Sequence, residues 1–331
     1  MQTHHISALP IVILMPHSAC NCRCIMCDIW KDNKNLKQLT EKDIKGLLDS
    51  LKKLGTQQVL MSGGEALLNQ NFFRFCELIK KQDIRISLLS TGLTLRRYAE
   101  QIILFTDEVI VSLDGDEETH DRIRNIPGAF KKLFGAVQYI KSIDPDFKIT
   151  GRTVIHRQNF RNWPAIIDAA KEIGLDQISF LPADVSSHAF NREVLWDDLR
   201  QHEVMLDESD LPELKTIIER IIETERHSNF IAESPEKLGK IYAYYAALYG
   251  LNPFPFKKCN APWVSAVVEA DGTVRPCFFH PSLGNIREQS LDKILNSDKG
   301  IRFRKELDMN NNDTCKKCVC YLDLSPRTKL N

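Results

Sequence analysis

The sequence predicts an α/β protein in which a partial (β/α)6 barrel is followed by a small cysteine-rich α+β module with a β-hairpin. Between residues 11 and 182, six short apolar runs alternate with amphipathic stretches, as repeated βα units around a parallel sheet do. Beyond residue 182 the alternation stops, and nine of the ten cysteines fall into two groups near the ends of the chain. Six units are too few to close an eight-stranded barrel, so we expect an open one with its chemistry at the carboxyl ends of the strands.

The predicted strands are rich in β-branched residues, and the predicted helices place apolar residues three and four positions apart. Thr40, followed by Asp43, is typical of a helix start, and Gly174 of a helix end. The predicted strands are residues 11–15, 58–61, 85–89, 108–112, 148–155 and 177–181. The predicted helices between them are residues 40–54, 71–81, 95–104, 129–143 and 163–173.

Three segments follow from this pattern. They are the barrel at residues 1–183, a helical linker region at residues 184–256 and the cysteine-bearing module at residues 257–331. The linker region holds two predicted helices, residues 211–225 and 235–249, before a proline-rich stretch. In the module, residues 264–269 and 273–276 flank Asp271-Gly272, a dipeptide that favours a tight hairpin turn.

The composition argues against several classes of protein. Lys plus Arg and Asp plus Glu both total 44, so no net charge would attract nucleic acid or anionic lipid. The longest apolar stretch near the start, residues 11–15, is far shorter than the ~20 residues of a membrane helix, and no signal-peptide pattern accompanies it. We therefore expect a cytoplasmic protein without a nucleic-acid or membrane partner.

Clustered cysteines in a reducing compartment indicate metal or redox chemistry rather than disulfides. Cys76 stands alone in a helical stretch and is expected to be a buried apolar residue. After the first strand, Cys20, Cys24 and Cys27 have the spacing C-x3-C-x2-C. Three thiolates suit a four-iron cluster and leave one iron free to bind a cofactor or substrate. Zinc binding or simply reduced thiols are the alternatives, and Cys22 is a spare thiol in the same run.

The cysteine spacing resembles the radical S-adenosylmethionine (SAM) superfamily motif, C-x3-C-x-φ-C, in which φ, here Met26, lies beside the adenine. After the second strand, Gly63-Gly64-Glu65 resembles the family's GGEP motif, whose backbone and Glu receive the SAM amino group. Ala66 replaces the usual proline. The resemblance implies that Met26, Gly63, Gly64 and Glu65 bind SAM. Taken alone, the glycines indicate a turn and Glu65 a charge at a helix N-terminus.

Two further segments also resemble motifs of the family. Residues 90–92 are similar to the family's TNG turn near the ribose, and residues 112–124 resemble its SLDG…HD…R stretch. The likeness implies that Ser90, Ser112 and Asp114 contact SAM. Taken alone, these are polar residues at strand ends, where either role is compatible with their position.

The second cysteine group resembles the SPASM module, or its shortened twitch form, which carries auxiliary iron–sulfur clusters in the same superfamily. The likeness extends over residues 263–294. Five cysteines favour one auxiliary cluster, expected to be [4Fe–4S], over two. A zinc ion on four cysteines is the alternative. The implied ligands are Cys259, Cys277, Cys315 and Cys318, with Cys320 as a substitute for either of the last pair.

The resemblance implies an enzyme that cleaves SAM reductively to a 5′-deoxyadenosyl radical, which takes hydrogen from a substrate. A reductant such as flavodoxin or ferredoxin would supply the electron. Because only 19 residues precede Cys20, leaving no room for a peptide-recognition domain there, we expect a small-molecule substrate that is oxidised or rearranged. The alternatives are maturation of a peptide or protein, a non-catalytic iron–sulfur electron-transfer protein and a zinc-stabilised binding module.

Three residues are candidates for contact with the substrate. Arg152 and His156 on the fifth strand are the candidate catalytic residues, for substrate contact or proton transfer, and His280 beside the second cysteine group is another. Each has a structural alternative, since lone His and Arg residues commonly make internal hydrogen bonds. Arg124 is expected to brace a loop rather than to bind a carboxylate.

Overall fold

The computed structural model describes residues 4–326 and 328–330. These residues form a nine-stranded sheet in the order β6-β5-β4-β3-β2-β1-β7-β8-β9. Strands β1 to β6 are parallel neighbours, with β6 at one edge of the sheet and β9 at the other, so the predicted open barrel is confirmed. The strands are β1 (Ile11–Leu14), β2 (Gln58–Met61), β3 (Arg85–Ser90), β4 (Glu108–Ser112), β5 (Lys148–Ile155), β6 (Gln177–Pro182), β7 (Ser265–Val268), β8 (Thr273–Arg275) and β9 (Gly284–Asn285).

Helices follow the parallel strands as predicted, and the third predicted helix begins as a 3-10 turn at Leu95–Tyr98. Other 3-10 turns lie at Ile29–Asp32, Ala66–Leu68, Phe160–Asn162 and Glu208–Asp210. The helices are α1 (Glu41–Lys53), α2 (Phe72–Lys80), α3 (Ala99–Phe105), α4 (Glu117–Arg124), α5 (Ala129–Ile143), α6 (Trp163–Ile173), α7 (Asp198–His202), α8 (Leu211–Thr224), α9 (Pro235–Leu248), α10 (Ala261–Val264), α11 (Leu291–Leu295), α12 (Asp298–Glu306) and α13 (Asp313–Lys316).

The predicted helix ends are confirmed. Thr40 Oγ1 accepts a hydrogen bond from the backbone N–H of Asp43 at 3.2 Å, and Asp43 Oδ2 accepts one from that of Thr40 at 2.9 Å. This reciprocal pair satisfies backbone donors that the first turn of α1 leaves free. Gly174 ends α6 with a φ of +87°, in the left-handed region that glycine enters readily.

Helix α4 was not predicted. It has only eight residues, too few for an apolar periodicity to stand out. Its start is fixed by Asp116, whose carboxylate accepts a hydrogen bond from the backbone N–H of Thr119 at 2.9 Å. Because α4 follows β4 directly, it lies at the carboxyl edge of the sheet, where the candidate site is found.

The main core fills the space between the sheet and the helices outside it. Leu47, Phe75 and Ile166, from three of these helices, are fully buried there. Cys76 is also fully buried, as predicted, and burial raises the pKa of its thiol. Along β5 alternate residues have opposite surroundings, and Arg152 belongs to the set that faces the interior of the barrel.

The C-terminal module is continuous with the barrel sheet. Strand β7 pairs in parallel with β1, Ile11 opposite Ser265, and β8 returns antiparallel to β7 as the predicted hairpin. Arg304, which is almost fully buried, donates to the carbonyl of His4 at 2.7 Å and so ties the module to the first described residue. No helix in the described part of the chain has both the length and the apolar character needed to cross a membrane.

Candidate active site

Three cysteines of the first group line a cavity at the carboxyl ends of the barrel strands. Cys20, Cys24 and Cys27 contribute to its wall, and its volume is about 220 Å³. Cys22 does not line it; this thiol is buried and forms a hydrogen bond with Cys24. The fold therefore brings together the three thiols predicted as ligands and leaves the spare one outside.

The cysteine loop is held by backbone hydrogen bonds to the end of α4. The N–H of Arg23 donates to the carbonyl of Arg124 at 3.0 Å, and that of Ile25 donates to the carbonyl of Ile123 at 3.2 Å. The positions of the thiols thus depend on a helix that sequence reasoning missed.

The turn after β2 approaches the cysteine loop so closely that it requires glycine. A Cβ on Gly64 would lie 2.1 Å from the carbonyl oxygen of Ala19, which also accepts the N–H of Glu65 at 2.9 Å. Gly63 has a φ of +108°, which few residues other than glycine adopt. Both glycines line the cavity, so the turn presents bare backbone to whatever the cavity holds.

Glu65 lies behind the cavity wall rather than on it. Its fully buried carboxylate accepts hydrogen bonds from the N–H of Thr91 at 2.8 Å, from Thr91 Oγ1 at 2.7 Å and from Ser90 Oγ at 3.1 Å. Burial raises the pKa of Glu65, and the hydrogen bonds from Thr91 oppose that rise. Ser90 and Thr91 themselves line the cavity, so Glu65 positions this part of its wall.

A buried ion pair stands behind the cysteines. The Arg124 guanidinium pairs with Asp114 and also donates to Cys24 Sγ at 3.4 Å. Burial raises the pKa of Asp114, and the charge of Arg124 opposes this rise. A hydrogen bond from Cys22 and the charge of Arg124 lower the pKa of Cys24 to about 7, although burial acts the other way. The site therefore favours a thiolate at Cys24, the form in which cysteine binds metal.

Of the remaining predicted SAM contacts, Met26 and Ser112 line the cavity, whereas Asp114 does not. Of the two predicted catalytic residues, one lines the cavity and the other does not. Arg152 lines the cavity, whereas His156 is fully buried and does not. Burial lowers the pKa of His156 to about 3, so its ring is neutral.

Residues of the linker region and the C-terminal module cover the cavity. Phe190 and Phe278 both line it, with their ring centroids 5.1 Å apart. Arg192 pairs with Asp184 at 2.8 Å and donates to the carbonyl of Met26 at 3.3 Å, which ties this cover to the cysteine loop. Sequence reasoning missed Phe190 and Arg192, since isolated Phe and Arg residues in a polar linker give no local signal of burial, and it gave Phe278 no role at the cavity.

The cysteines of the second group gather near the cover. The charges of Cys315 and Cys259 contribute to the raised pKa of Cys277, about 12, although burial is the main cause. His280 Nε2 lies 3.3 Å from Cys315 Sγ, while Cys318 Sγ contacts the carbonyl of Cys320 at 2.8 Å.

Among the described residues, no three His, Cys, Asp or Glu side chains converge on a point that a single metal ion could occupy.

Comparison with known proteins supports the same chemistry. A model of the Radical SAM superfamily matches residues 14–180, and a model of SPASM, an iron–sulfur cluster-binding domain, matches residues 259–319. Fe-coproporphyrin III synthase of Methanosarcina barkeri (strain Fusaro / DSM 804) is 26% identical, over 95% of this chain and 82% of its own length. A PqqA peptide cyclase of Bradyrhizobium diazoefficiens is 24% identical, over 86% of this chain and 70% of its own length.

The fold agrees with these matches. Streptococcus suis SuiB bound to S-adenosylmethionine superimposes with a TM-score of 0.66 at 16% identity, covering 96% of this chain and 74% of its own. The superfamily match spans half of the chain and includes the cysteine loop and the strand ends around the cavity. The chain therefore belongs to the radical SAM superfamily, as an enzyme whose cofactors are SAM and iron–sulfur clusters and whose C-terminal module is a SPASM domain.

Proposed function

We propose that this enzyme cleaves SAM reductively and uses the cleavage to take a hydrogen atom from a peptide or protein substrate. The proposal rests on one observation: Cys20, Cys24 and Cys27 line the same cavity as the bare backbone of Gly63 and Gly64. Three thiols leave a four-iron cluster one open iron, and glycine lets a cofactor approach the chain closely.

In this proposal Cys20, Cys24 and Cys27 hold the SAM-binding [4Fe–4S] cluster. When bound, this cluster would supply the electron that cleaves SAM to methionine and a 5′-deoxyadenosyl radical. Arg124 favours the thiolate form of Cys24 through its charge and its hydrogen bond. Cys22, buried outside the cavity, serves as the hydrogen-bond partner of Cys24 rather than as a ligand.

The SAM contacts are proposed in two groups. Met26, Gly63, Gly64, Ser90 and Ser112 line the cavity and can contact SAM directly. Glu65 and Asp114 act from behind the wall, Glu65 by holding the turn at Ser90 and Asp114 by holding Arg124. The rings of Phe190 and Phe278 exclude water from the cavity, which would protect a reactive intermediate.

The second cysteine group is proposed to hold one auxiliary [4Fe–4S] cluster on Cys259, Cys277, Cys315 and Cys318, with Cys320 as the alternative to either of the last two. The Coulombic influence of Cys315 and Cys259 on Cys277 supports their proximity. We propose the division into residues 1–183, 184–256 and 257–331, with flavodoxin or ferredoxin as the reductant.

Relatives of both substrate classes exist. The peptide proposal draws support from the PqqA peptide cyclase and from AlbA, a Bacillus subtilis protein named for biosynthesis of the bacteriocin subtilosin, which is 23% identical over 84% of this chain and 57% of its own length. One observation supports the small-molecule substrate expected from the sequence. It is the similarity to Fe-coproporphyrin III synthase over 95% of the chain. A porphyrin is therefore the second candidate.

Hydrogen transfer to the cofactor tests the proposal without knowledge of the substrate. The anaerobically reconstituted enzyme is incubated with SAM, dithionite and an extract of source cells grown in deuterated medium. Deuterium should enter 5′-deoxyadenosine, and digestion of the extract with a protease before the assay should abolish the transfer. Transfer that survives the protease would favour a small molecule, and no formation of 5′-deoxyadenosine would contradict the enzyme's proposed chemistry altogether.

A further inference from the structure

A second, smaller cavity of about 100 Å³ adjoins the proposed SAM cavity, and four of the residues that line it are basic: Arg152, Lys237, Lys240 and Lys257. We propose that this basic pocket binds a carboxylate group of the substrate. The inference rests on the proposed function, because it assigns the group by which the substrate is held during hydrogen abstraction.

The two cavities share part of their walls. Arg152, Leu181, Pro182 and Val319 line both of them. A carboxylate held in the basic pocket would therefore keep the rest of the substrate beside the SAM cavity. This is the relation that hydrogen abstraction requires, since the reacting carbon must lie close to the cofactor.

Arg152 is the strongest evidence for an anionic ligand. Its Nε is buried and has no hydrogen-bond partner among the described residues, and its guanidinium forms no ion pair with any of them. The residue as a whole is half-buried, and a guanidinium N–H that is buried without an acceptor is costly, so such a group normally faces one. None of the described carboxylates fills this role, and a bound substrate group would.

The charge of the pocket is also unbalanced. Glu233 is the one carboxylate among the lining residues, and its oxygens already accept from Ser179 Oγ and the N–H of Phe180, both at 2.9 Å. Lys237 lies 3.4 Å from Glu233. Lys240 pairs at 3.1 Å with a Glu on its own helix whose side chain is 81% exposed, a kind of pair that contributes little.

Another role for the lysines is to offset the negative charge of the auxiliary cluster. Lys257 fits that role in part, because it interacts with the charges of Cys318, Cys315 and Cys259 and donates to the carbonyl of Lys316 at 2.9 Å. Arg152 does not, since it extends from β5 into the space between the two cavities. Arg152 is therefore the residue on which the two explanations differ.

The walls indicate which anion fits. Leu181, Ile241 and Val319 make much of the lining apolar, and the small volume admits only a short group. A guanidinium binds a carboxylate through two parallel hydrogen bonds. A carboxylate on a short aliphatic arm satisfies both conditions, whether it is an Asp or Glu side chain of a peptide or a propionate of a porphyrin.

Binding to the reconstituted holoenzyme tests the pocket. The probes are a peptide containing Glu and its Gln counterpart, and coproporphyrin III and its tetramethyl ester. At least one of the two carboxylic acids, the Glu peptide or coproporphyrin III, should bind. Its neutral counterpart, the Gln peptide or the tetramethyl ester, should bind at least about tenfold more weakly. Arg152→Gln should weaken the acid by a similar factor, and Arg152→Lys should restore part of the affinity. Lys215→Gln, on the exposed side of α8, is the control and should change nothing.

Three results would overturn the inference. They are no binding of either acid, equal binding of acid and neutral counterpart, and unchanged binding in Arg152→Gln, including the case in which that variant only shifts the reduction potential of the auxiliary cluster. Assays of the wild-type enzyme distinguish failure of this inference from failure of the proposed function. If it forms 5′-deoxyadenosine while the acids fail to bind, only the basic pocket is refuted; if it forms none, the proposed function itself fails. The binding peptide or porphyrin also identifies the source of the carboxylate.

Discussion

Arg124 donates a hydrogen bond to Cys24 Sγ at 3.4 Å while the same guanidinium pairs with the fully buried Asp114. A residue expected from the sequence only to brace a loop thus influences a proposed cluster ligand directly. The chain between Cys24 and Arg124 includes three strands and their helices, so this contact could not be read from local pattern.

Replacing Arg124 with Gln should impair assembly of the SAM-binding cluster and destabilise the protein. Asp114 would be left buried without its partner, which costs about 3–5 kcal/mol. The double variant Arg124→Gln/Asp114→Asn should regain part of that stability without regaining the iron. Denaturant unfolding and iron analysis measure the two effects. Arg122→Gln, on the same helix but half exposed, is the control; equal loss in both single variants would contradict the assignment.

The hydrogen bonds of Thr91 to Glu65 should matter for SAM affinity. Thr91→Val keeps the shape but removes a donor to a buried carboxylate, a bond worth about 1.5–3 kcal/mol. We expect SAM to bind about tenfold more weakly by titration calorimetry. Thr91→Asn, which restores the residue of the family's TNG turn and can donate to Glu65, should bind SAM nearly as well as the wild type. Equal affinities of the two variants would refute the role of this bond.

The sequence allowed prediction of elements whose signals are local. The alternating strands, the pair Thr40 and Asp43 at the start of α1 and Gly174 at the end of α6 all depend on residues close together in the chain. The parallel pairing of β7 with β1 joins segments about 250 residues apart, and no local pattern encodes it.

The same distinction applies to the site. The thiol spacing and the glycine turn identified the wall of the cavity, because each motif lies within one loop. The cover over it depends on Phe190 and Phe278 meeting from different segments, and on the ion pair that anchors one of them. His156 was predicted beside Arg152 because both were assigned to the fifth strand, but β5 ends at Ile155 and the turn that follows buries His156 away from the cavity.

Gly64→Ala should prevent the cysteine loop from closing on the barrel. The new Cβ would lie 2.1 Å from the carbonyl oxygen of Ala19, a backbone atom that cannot move without moving the adjoining Cys20. We expect a loss of bound iron and a lower melting temperature. The matched control is Gly46→Ala, at an exposed position in α1 with nothing within 4 Å of the added Cβ. It should stabilise the protein by up to about 1 kcal/mol. Full iron content in Gly64→Ala would contradict the prediction.

His280 should tune the proposed auxiliary cluster. Its Nε2 lies 3.3 Å from Cys315 Sγ, and an iron-bound thiolate can only accept a hydrogen bond, so Nε2 would carry the hydrogen. Donors to the sulfurs of a cluster stabilise its reduced, more negative state. His280→Phe should therefore lower the reduction potential of the auxiliary cluster and leave that of the SAM-binding cluster unchanged, as followed by redox titration with electron paramagnetic resonance. An unchanged potential would argue against Cys315 as a ligand.

Two buried histidines should make the protein sensitive to mild acid. Burial lowers the pKa of both His120 and His156 to about 3, and the Nδ1 of His120 accepts the backbone N–H of Asp114 at 3.2 Å. In the unfolded chain both rings would titrate near the ordinary value of about 6.5. Unfolding below that pH therefore takes up protons, and stability falls as the pH drops toward 3.

Each histidine should contribute about 1.4 kcal/mol per pH unit to this loss once the pH is below about 6. Denaturant unfolding at several pH values between about 6 and 5, a range above the folded-state pKa values, measures the slope. His156→Gln should reduce the slope of unfolding free energy against pH by the contribution of one proton, because a glutamine cannot titrate. This should hold even if the variant is less stable at every pH. Equal slopes in the wild type and in His156→Gln would mean that His156 is already protonated in the folded enzyme.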